Sequence, residues 1–529
     1  MKFNILAWNA SVRRQWIIGI LSIAIAVGRL WACVTQDGGS HPLETFFEDD
    51  FYYYATIGQN IIHEHWSTFD HVTTTNGYQP LWMAVIIACE LAFGSHGAAF
   101  LLSVTVLSAA LVALGASLLT RFLDEVARDS GWPDDLVLPA ALLYAIAGVR
   151  IASNGMEVAL LWPLLPGLLL VLRRFAVRPG PSACFGLGLL ISLIALARLD
   201  APVFLLPLGL WTAYRYFSRG EPRAALVQGA LAATVGLAPL VLYLVYNQIV
   251  FDGIVPVSGL AKRLLISHGP FVSQAITRFR EALGLLFIAA LAVPTALGAG
   301  AALLCRGRGG IITDVYLPLI LGCGLYYFSN LAFSDWIMWS WYYYGLAFTA
   351  ALSLGMVGPA VVSRWPNPAR PGISKLAAGL ACLLVLAPAL KALISTKLDN
   401  SMLVAARELR HFQLTHPGRY AMGDRAGMVG WLMPQGVVQV EGLVSDRRQL
   451  DDIRNQVPLI ASLRRQGVRY YISTDATHDH GCWGTLEPSE PGPNAPKMLG
   501  QFCQSPVLQF QVRSRYLQRP VITRVFEIS

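Results

Sequence analysis

Residues 48–54 of the chain read Glu-Asp-Asp-Phe-Tyr-Tyr-Tyr, three carboxylates and an aromatic run that follow the first long apolar segment. No Lys or Arg occurs from Trp31 to Thr120, so these acids have no basic neighbour in sequence with which to form an ordinary ion pair. Ionisable groups placed beside an apolar span in this way favour a catalytic or ligand-binding role.

The composition is that of a membrane protein. Of the 529 residues, 55% are apolar and 14% are charged, and the mean hydropathy is +0.50. Soluble domains carry about 25% charged residues. A polytopic α-helical membrane protein is therefore predicted, with spans of roughly 20 residues. The candidate spans are 16–35, 98–119, 136–149, 157–172, 183–197, 201–214, 226–249, 284–304, 311–332, 341–361 and 374–395.

The basic residues of the short loops predict the orientation, because cytoplasmic loops carry an excess of Lys and Arg. All the basic clusters can lie inside if the short apolar segment 80–93, which contains Glu90, does not cross fully. About eleven crossings result, with the N-terminus inside and the C-terminus outside. The predicted external segments are the first loop 36–79, the turns 150–156 and 198–200, the loop 250–282 and the tail. The clusters are Lys2/Arg13/Arg14, Arg121/Arg128, Arg173/Arg174/Arg178, Arg215/Arg219/Arg223, Arg306/Arg308 and Arg364/Arg370/Lys375.

The composition becomes that of a soluble domain near residue 397. A transmembrane module at 1–396 and a small extracytoplasmic α/β domain at 397–529 are therefore predicted. The predicted elements of this tail are strands at 420–422, 437–440 and 468–473, a helix at 451–466 and a Pro-rich surface loop at 488–496.

Two of the eight cysteines, Cys482 and Cys503, lie in the tail. An oxidising exterior compartment would allow them to form one disulfide. The sequence does not supply the geometry that a disulfide needs, so both the bonded and the free state stay open. The cysteines in or beside apolar segments are expected to be buried free thiols.

The segment after Asp50 has aromatic and aliphatic residues at helical spacing, with Ile57, Ile61 and Ile62 continuing the tyrosines. This pattern predicts a helix at the membrane interface that holds Asp50 at the bilayer surface. A turn-rich segment, Thr-Asn-Gly-Tyr-Gln-Pro-Leu-Trp at 75–82, follows it.

The acidic pair, the tyrosines and the 75–82 segment resemble the first external loop of GT-C fold glycosyltransferases, in particular the bacterial arabinofuranosyltransferase-like and mannosyltransferase-like branch. Further motifs follow in the same order as in that family and extend the resemblance over most of the chain. They are Asn154–Leu160, Ala197–Ala201, Tyr246–Asn247 with Phe251–Gly253, Pro256 and Ala261–Lys262, Trp341–Tyr344, and Gly423–Gly427.

The resemblance implies transfer of a sugar from a polyprenyl-phosphate donor to a glycan, lipid or protein acceptor on the outer face of the cytoplasmic (inner) membrane, usually with inversion. Asp50 aligns with the family's catalytic base, and Asp49 would support it. Such a base takes the proton from the acceptor hydroxyl, and cations stabilise the departing phosphate. Further candidate substrate-binding residues are Glu48, Tyr53, Tyr54, Asn76 and Tyr78.

Several charged residues lie on the predicted external face, where the excess of Lys and Arg in cytoplasmic loops leads us to expect few basic residues. Lys262 and Arg263 either bind the donor phosphate or contact solvent and anionic headgroups. Arg198 either serves the site or forms a structural salt bridge with Asp200. Glu157 is expected to face the bundle interior and to contact an acceptor hydroxyl or Arg150.

No metal site is predicted, because the His63–His65 and His478–His480 segments each lack a full set of converging ligands. No cofactor is predicted, although some GT-C enzymes bind a divalent cation at the external acids, and the sequence leaves that open. The net charge of +8 is explained by the basic residues of the predicted cytoplasmic loops and does not indicate nucleic-acid binding. Membrane lipids are expected partners. The competing hypothesis is a transporter or flippase of lipid-linked sugars, which would place ionisable groups near the bilayer midplane and build the fold from repeats.

Overall fold

The computed structural model describes residues 5–35, 42–178, 180–218, 223–269, 284–304, 310–366, 369–394, 398–514 and 519–528. Apolar helices make up the first three quarters of the chain, and a C-terminal region of sheet and short helices follows them. This architecture confirms the predicted fold class.

The helices of the apolar part vary widely in length. They are α1 (Ile5–Val34), α2 (Asp49–Glu64), α3 (Pro80–Phe93), α4 (Ala98–Ser130), α5 (Val137–Ile151), α6 (Leu161–Val177), α7 (Pro181–Ala197), α8 (Ala201–Phe217), α9 (Arg223–Phe251), α10 (Val257–Ala261), α11 (Leu285–Leu304), α12 (Leu317–Phe333), α13 (Tyr344–Leu352), α14 (Gly358–Val362), α15 (Arg370–Ala381) and α16 (Ala387–Ile394). Single π turns precede α12 and connect α13 to α14 and α15 to α16.

Within the described ranges, 8 helical stretches are long and apolar enough to cross a membrane. They are Ala10–Val34, Ala98–Ser130, Glu157–Val177, Ala225–Phe251, Leu285–Leu304, Ile312–Phe333, Ser340–Val362 and Arg370–Ile394. The other three predicted spans are also helical but shorter, since α5 has 15 residues and α7 and α8 have 17 each.

The residues just before and just after helix α3 contact α2 and the tail, respectively. At its start, the Gln79 amide donates a hydrogen bond to Tyr54 Oη at 3.1 Å, and just after its end the His96 ring lies 5.2 Å from Trp431 of the tail. With 14 residues, the helix is about 21 Å long, shorter than the roughly 30 Å hydrocarbon core. Helix α3 is therefore among the shorter apolar helices, and that 80–93 does not cross fully stays a prediction.

The tail contains two sheets and four helices within its described residues. The elements are α17 (Ser401–Thr415), β1 (Tyr420–Met422), α18 (Ala426–Leu432), β2 (Val437–Gln439), α19 (Arg447–Arg454), α20 (Leu459–Arg465), β3 (Tyr470–Ser473), β4 (Thr477–Asp479), β5 (Cys482–Glu487), β6 (Met498–Phe502), β7 (Leu508–Ser514) and β8 (Arg519–Glu527). A five-stranded sheet has the order β2-β1-β3-β8-β7, in which β1 pairs in parallel with β2 and β3, and a three-stranded antiparallel sheet contains β4, β5 and β6.

Two predictions for the tail were wrong. The single helix expected at 451–466 is two helices, because Pro458 has no N–H to continue a ladder and instead precedes the first turn of α20. The loop 488–496 is not a surface loop, because it packs against the membrane module. There the Gly492 and Asn494 amides donate to the backbone and the carboxylate of Asp335, each at 2.9 Å.

Helix α2 forms where it was predicted but does not lie on a membrane surface. Every residue from Phe51 to Gly58 is buried, so the helix has no continuous exposed face there. Its aromatic side chains pack on both the bundle and the tail, with the Tyr52 ring 5.0 Å from Trp431 and the Phe51 ring stacked 6.0 Å from Phe100. The helix is therefore an internal element between the membrane module and the tail.

Candidate active site

An open cavity of about 60 Å³ lies where the ends of the helices meet the tail. Its walls come from segments far apart in sequence, including the start of α2, the end of α7, α10 and the turn between β2 and α19. The lining residues are Asp50, Tyr53, Tyr54, Gly77, Tyr78, Gln79, Met156, Glu157, Arg198, Ser258, Lys262, Trp341, Tyr342, Leu443 and Val444. The structure thus brings together all five segments that the charge bias placed on one face.

Asp50 lies in the first turn of α2, where a carboxylate is favoured by the helix dipole. Its side chain is half-buried at the cavity, and within the described residues its carboxylate accepts no side-chain hydrogen bond. Burial raises the pKa of Asp50 to about 6, with Lys262 lowering it and Glu157 and Glu48 raising it. A carboxylate with this pKa can accept a proton near neutral pH.

Asp49 points away from the cavity. Its two carboxylate oxygens accept hydrogen bonds from the Gly427 and Met428 amides at the start of α18, each at 2.9 Å. The approach is close, because a Cβ atom at Gly427 would lie 2.2 Å from the Asp49 carbonyl oxygen. Burial raises the pKa of Asp49 to about 7, although the two amides lower it. The geometry makes Asp49 a docking residue for the tail.

Lys262 follows α10 and directs its ammonium group into the cavity. Nζ donates to Tyr342 Oη at 3.1 Å and lies 5.9 Å from the Trp336 ring. Burial alone would lower the pKa of Lys262, but Tyr342, Asp50 and Glu490 together raise it above its usual value. Lys262 therefore stays charged, and in the described part of the chain it forms no ion pair that would neutralise it.

Arg198, by contrast, forms ion pairs with two acidic residues, Asp200 and Glu157. Its guanidinium binds both oxygens of Asp200, at 2.9 and 2.6 Å, and Glu157 Oε1 at 2.7 Å. Burial lowers the pKa of Arg198, but Asp200 and Glu157 raise it well above its usual value, and Arg198 lowers the pKa of Asp200 despite burial. The salt-bridge interpretation of Arg198 and Asp200 holds, and Glu157 contacts Arg198 and Tyr54 rather than Arg150.

The turn before Glu157 explains how that carboxylate reaches the cavity. Gly155 has a φ of +85°, which an L side chain rarely adopts, and its carbonyl accepts a hydrogen bond from Trp82 Nε1 at 2.9 Å. Tyr54 Oη then donates to Glu157 Oε2 at 3.2 Å. The Asn154–Leu160 motif is thus tied to both α2 and α3.

The remaining predicted site residues divide into two groups. Tyr53, Tyr54 and Tyr78 line the cavity. Glu48, Asn76 and Arg263 do not: Glu48 accepts from Asn154 Nδ2 at 3.2 Å, Asn76 Oδ1 accepts from the Val257 amide at 2.9 Å, and Arg263 donates to the Ser329 carbonyl at 3.1 Å. These three residues hold loops rather than face the cavity. Cys482 and Cys503 are joined in a disulfide that connects β5 to the residue after β6.

Sequence reasoning missed several groups at this site. Gln79 Oε1 accepts from the Leu199 amide at 3.0 Å and so joins the first loop to the end of α7. Leu443 and Val444 come from the tail and cover the cavity, and the Leu443 carbonyl lies so close to Gly77 that a Cβ atom there would be 1.9 Å away. The glycine in the 75–82 motif was the available signal, because a glycine often marks a close backbone approach.

No protein-family model and no curated protein sequence matches the chain. Solved structures do match its fold. The archaeal oligosaccharyltransferase AglB from Archaeoglobus fulgidus, in complex with an inhibitory peptide and a dolichol-phosphate, aligns with a TM-score of 0.52 and 14% identity over 87% of this chain and 69% of that one. The fold is GT-C.

Two further structures of the A. fulgidus oligosaccharyltransferase align over similar ranges. One is tethered to an acceptor peptide containing the NVT sequon and gives a TM-score of 0.51 at 13% identity, over 87% of this chain and 69% of that one. The other is a complex with Zn and sulfate and gives 0.50 at 13% identity, over 86% and 68%. At these identities the likeness concerns the GT-C fold.

Proposed function

We propose that this GT-C chain is a membrane glycosyltransferase that transfers a hexosyl or pentosyl group from a polyprenyl-phosphate donor to a glycan, lipid or protein acceptor, with inversion. The arabinofuranosyltransferase-like or mannosyltransferase-like branch is the proposed relationship. The proposed location is the cytoplasmic (inner) membrane, with the cavity and the tail facing the periplasm or exterior.

The observation that carries this proposal is the presence of one available carboxylate and one available cation in the same cavity. Asp50 has free acceptor capacity and a raised pKa, and Lys262 is charged and bound only to a tyrosine hydroxyl within the described residues. The other strong charges of the cavity, Arg198 and Glu157, bind each other and are not available for this chemistry.

The proposed reaction assigns one role to each group. The Asp50 carboxylate takes the proton from the acceptor hydroxyl as its oxygen attacks the anomeric carbon. The bond from that carbon to the phosphate oxygen breaks, and its electron pair leaves with polyprenyl phosphate. The Lys262 ammonium group stabilises the charge that develops on this phosphate. Because these two residues supply the base and the cation, the proposed step needs no cofactor.

Aromatic side chains complete the proposed binding surface. Tyr53, Tyr54, Tyr78, Trp341 and Tyr342 line the cavity and offer ring faces and hydroxyl groups to a sugar. The membrane helices would solvate the polyprenyl chain. Structures of the A. fulgidus oligosaccharyltransferase with dolichol-phosphate and with an acceptor peptide support a lipid donor and a separate acceptor for this fold.

The test is a transfer assay in detergent. The purified full-length protein is mixed with mannosyl and arabinosyl polyprenyl phosphates and with candidate acceptors, and released polyprenyl phosphate and glycosylated product are measured by mass spectrometry. We expect both products in equal amounts without a sealed membrane. Movement of donor across liposomes without any release of polyprenyl phosphate would contradict the proposal and favour a transporter.

A further inference from the structure

A second group of acids lies in the tail, outside the proposed catalytic pair. Asp424, Glu441 and Glu490 each offer a carboxylate oxygen, and these atoms all lie within 4.8 Å of one another. Asp424 and Glu441 follow β1 and β2, which pair in parallel. Because the carboxyl ends of parallel strands meet at one sheet edge, the topology places these two side chains together.

The contacts of the three acids within the described part of the chain do not balance their charge. Asp424 pairs with Arg425 at 3.3 Å. Glu441, only 1% exposed, uses one oxygen to accept the Ser489 and Glu490 amides at 3.1 and 3.3 Å. Glu490 accepts a hydrogen bond from the Trp339 indole. Two of the three carboxylates therefore accept hydrogen bonds only from neutral donors. Within the described residues the neighbouring cations are Arg425 beside Asp424 and Lys262 near Glu490, which leaves three acids against two cations, and uncompensated buried charge is costly.

Glu487 supplies an independent indication of a missing ligand. Its side chain is only 2% exposed, and one oxygen accepts from Tyr471 Oη at 2.6 Å. The other oxygen, Oε2, is buried and has no hydrogen-bond partner in the regions that the structure describes. This carboxylate lies beside the acidic group: a Cβ atom at Gly423, the neighbour of Asp424, would lie 2.1 Å from both of its oxygens, and its charge interacts with those of Asp424 and Glu441.

We propose that Asp424, Glu441 and Glu490, backed by Glu487, bind a hard divalent cation of the Ca²⁺ class. Carboxylate oxygens are the ligands that such ions prefer, at about 2.3–2.6 Å, and oxygens on opposite sides of the ion can be separated by the spread seen here. The set contains no nitrogen or sulfur ligand of the kind that favours zinc. This inference does not depend on the proposed transfer activity.

The cation would fix the tail on the membrane module beside the cavity. Glu490 lies in the 488–496 loop, which packs against Asp335 and Trp339. The Trp339 ring stacks 6.0 Å from Trp341, which lines the cavity. A cation that holds Glu490 to Asp424 and Glu441 would therefore connect the tail sheet to a wall of the cavity.

The test is direct cation binding to the full-length protein in detergent after removal of metals with a chelator. Calcium content by equilibrium dialysis is measured together with tryptophan fluorescence and thermal unfolding, with MgCl₂ and MnCl₂ as alternative hard cations and KCl at matched ionic strength as the control. We expect one Ca²⁺ per chain, an apparent affinity on the order of 10⁻⁴ to 10⁻³ M as in extracellular modules, and a midpoint of unfolding that rises with calcium concentration.

Matched variants locate the site. Glu441→Gln and Glu490→Gln keep the size and one acceptor oxygen and should each weaken calcium binding at least about tenfold because a charged ligand is lost, whereas the exposed tail variant Asp451→Asn should bind like the parent. Asp50→Asn should also retain calcium binding. No binding of any hard cation beyond the KCl control would overturn the proposal. Binding that is lost in Asp50→Asn but kept in Glu441→Gln would overturn it too, by assigning the ion to the loop acids.

Discussion

At the scale of single residues, the two adjacent acids Asp49 and Asp50 have different environments. The carboxylate of Asp50 faces the cavity and Lys262, whereas that of Asp49 caps the amides at the start of α18. Successive residues of a helix point about 100° apart, so one helix turn presents one acid to the substrate space and the other to the tail. Two identical side chains thereby acquire separate roles.

The donor site can be tested at Lys262. Lys262→Ala should weaken donor affinity and slow phosphate departure, and Lys262→Arg should keep part of both because the charge survives. Arg263→Ala is the matched control, since Arg263 donates to Ser329 outside the cavity. Donor binding and single-turnover rates measure the difference. Unchanged donor kinetics in Lys262→Ala would remove this residue from the mechanism.

The pH dependence of transfer should report Asp50. The base must be ionised to take a proton, so kcat/KM should fall as the pH drops through about 6, the value to which burial raises the pKa of Asp50. Lys262 lowers this pKa, so Lys262→Ala should move the acidic limb to higher pH, while Lys262→Arg should leave it nearly in place. An acidic limb at the same pH in all three proteins would contradict the assignment.

At the scale of elements, α2 and α18 form the contact between the membrane module and the tail. Asp49→Asn keeps one acceptor oxygen but places an amide NH₂ against an N–H of α18. We expect a loss of about 1.5–3 kcal/mol in the docking free energy, the range for hydrogen bonds to a charged group. Limited proteolysis of the tail and the midpoint of thermal unfolding measure it, with Asp451→Asn as the control. Equal protease resistance in both variants would contradict the docking role.

The helices and the common face of the loops could be predicted from the sequence, whereas the contacts between distant segments could not. The long apolar segments predicted the helices, because a span in lipid needs apolar side chains and internal hydrogen bonds for all its backbone groups. The distribution of Lys and Arg among the loops predicted which loops share a face. Pairings between distant segments were not predictable in this way. The Arg198–Glu157 bond at 2.7 Å joins residues 41 positions apart, and Asp49 meets Gly427 across 378 positions.

The tail was predicted less completely than the membrane helices. The strands β1, β2 and β3 were found because they are short buried apolar runs, as the structure confirms. The strand β7 alternates between half-buried and exposed residues, a weak pattern that was not recognised. Helix α18 was missed because its seven residues, Ala-Gly-Met-Val-Gly-Trp-Leu, include two glycines, which are poor helix formers.

At the scale of the whole molecule, the cavity, the tail and the ends of the relevant helices lie on one face. Cysteine labelling tests the orientation of that face. Thr477→Cys in β4 is exposed on the tail and should react with a membrane-impermeant maleimide added outside intact cells, whereas Ser130→Cys at the end of α4 should react only after permeabilisation. The parent protein gives the background. The reverse labelling pattern would contradict an external tail.

The central claim is that Asp50 is the base of a glycosyl transfer that needs no membrane barrier, and one measurement tests it directly. Purified parent protein and Asp50→Asn are compared in detergent for release of polyprenyl phosphate at saturating donor, with donor binding measured in parallel and Asp451→Asn as the control. A positioned base contributes at least about 100-fold, so Asp50→Asn should lose that much turnover with donor affinity nearly unchanged. Retention of more than about a tenth of the parent's turnover, against that 100-fold expectation, would contradict the account.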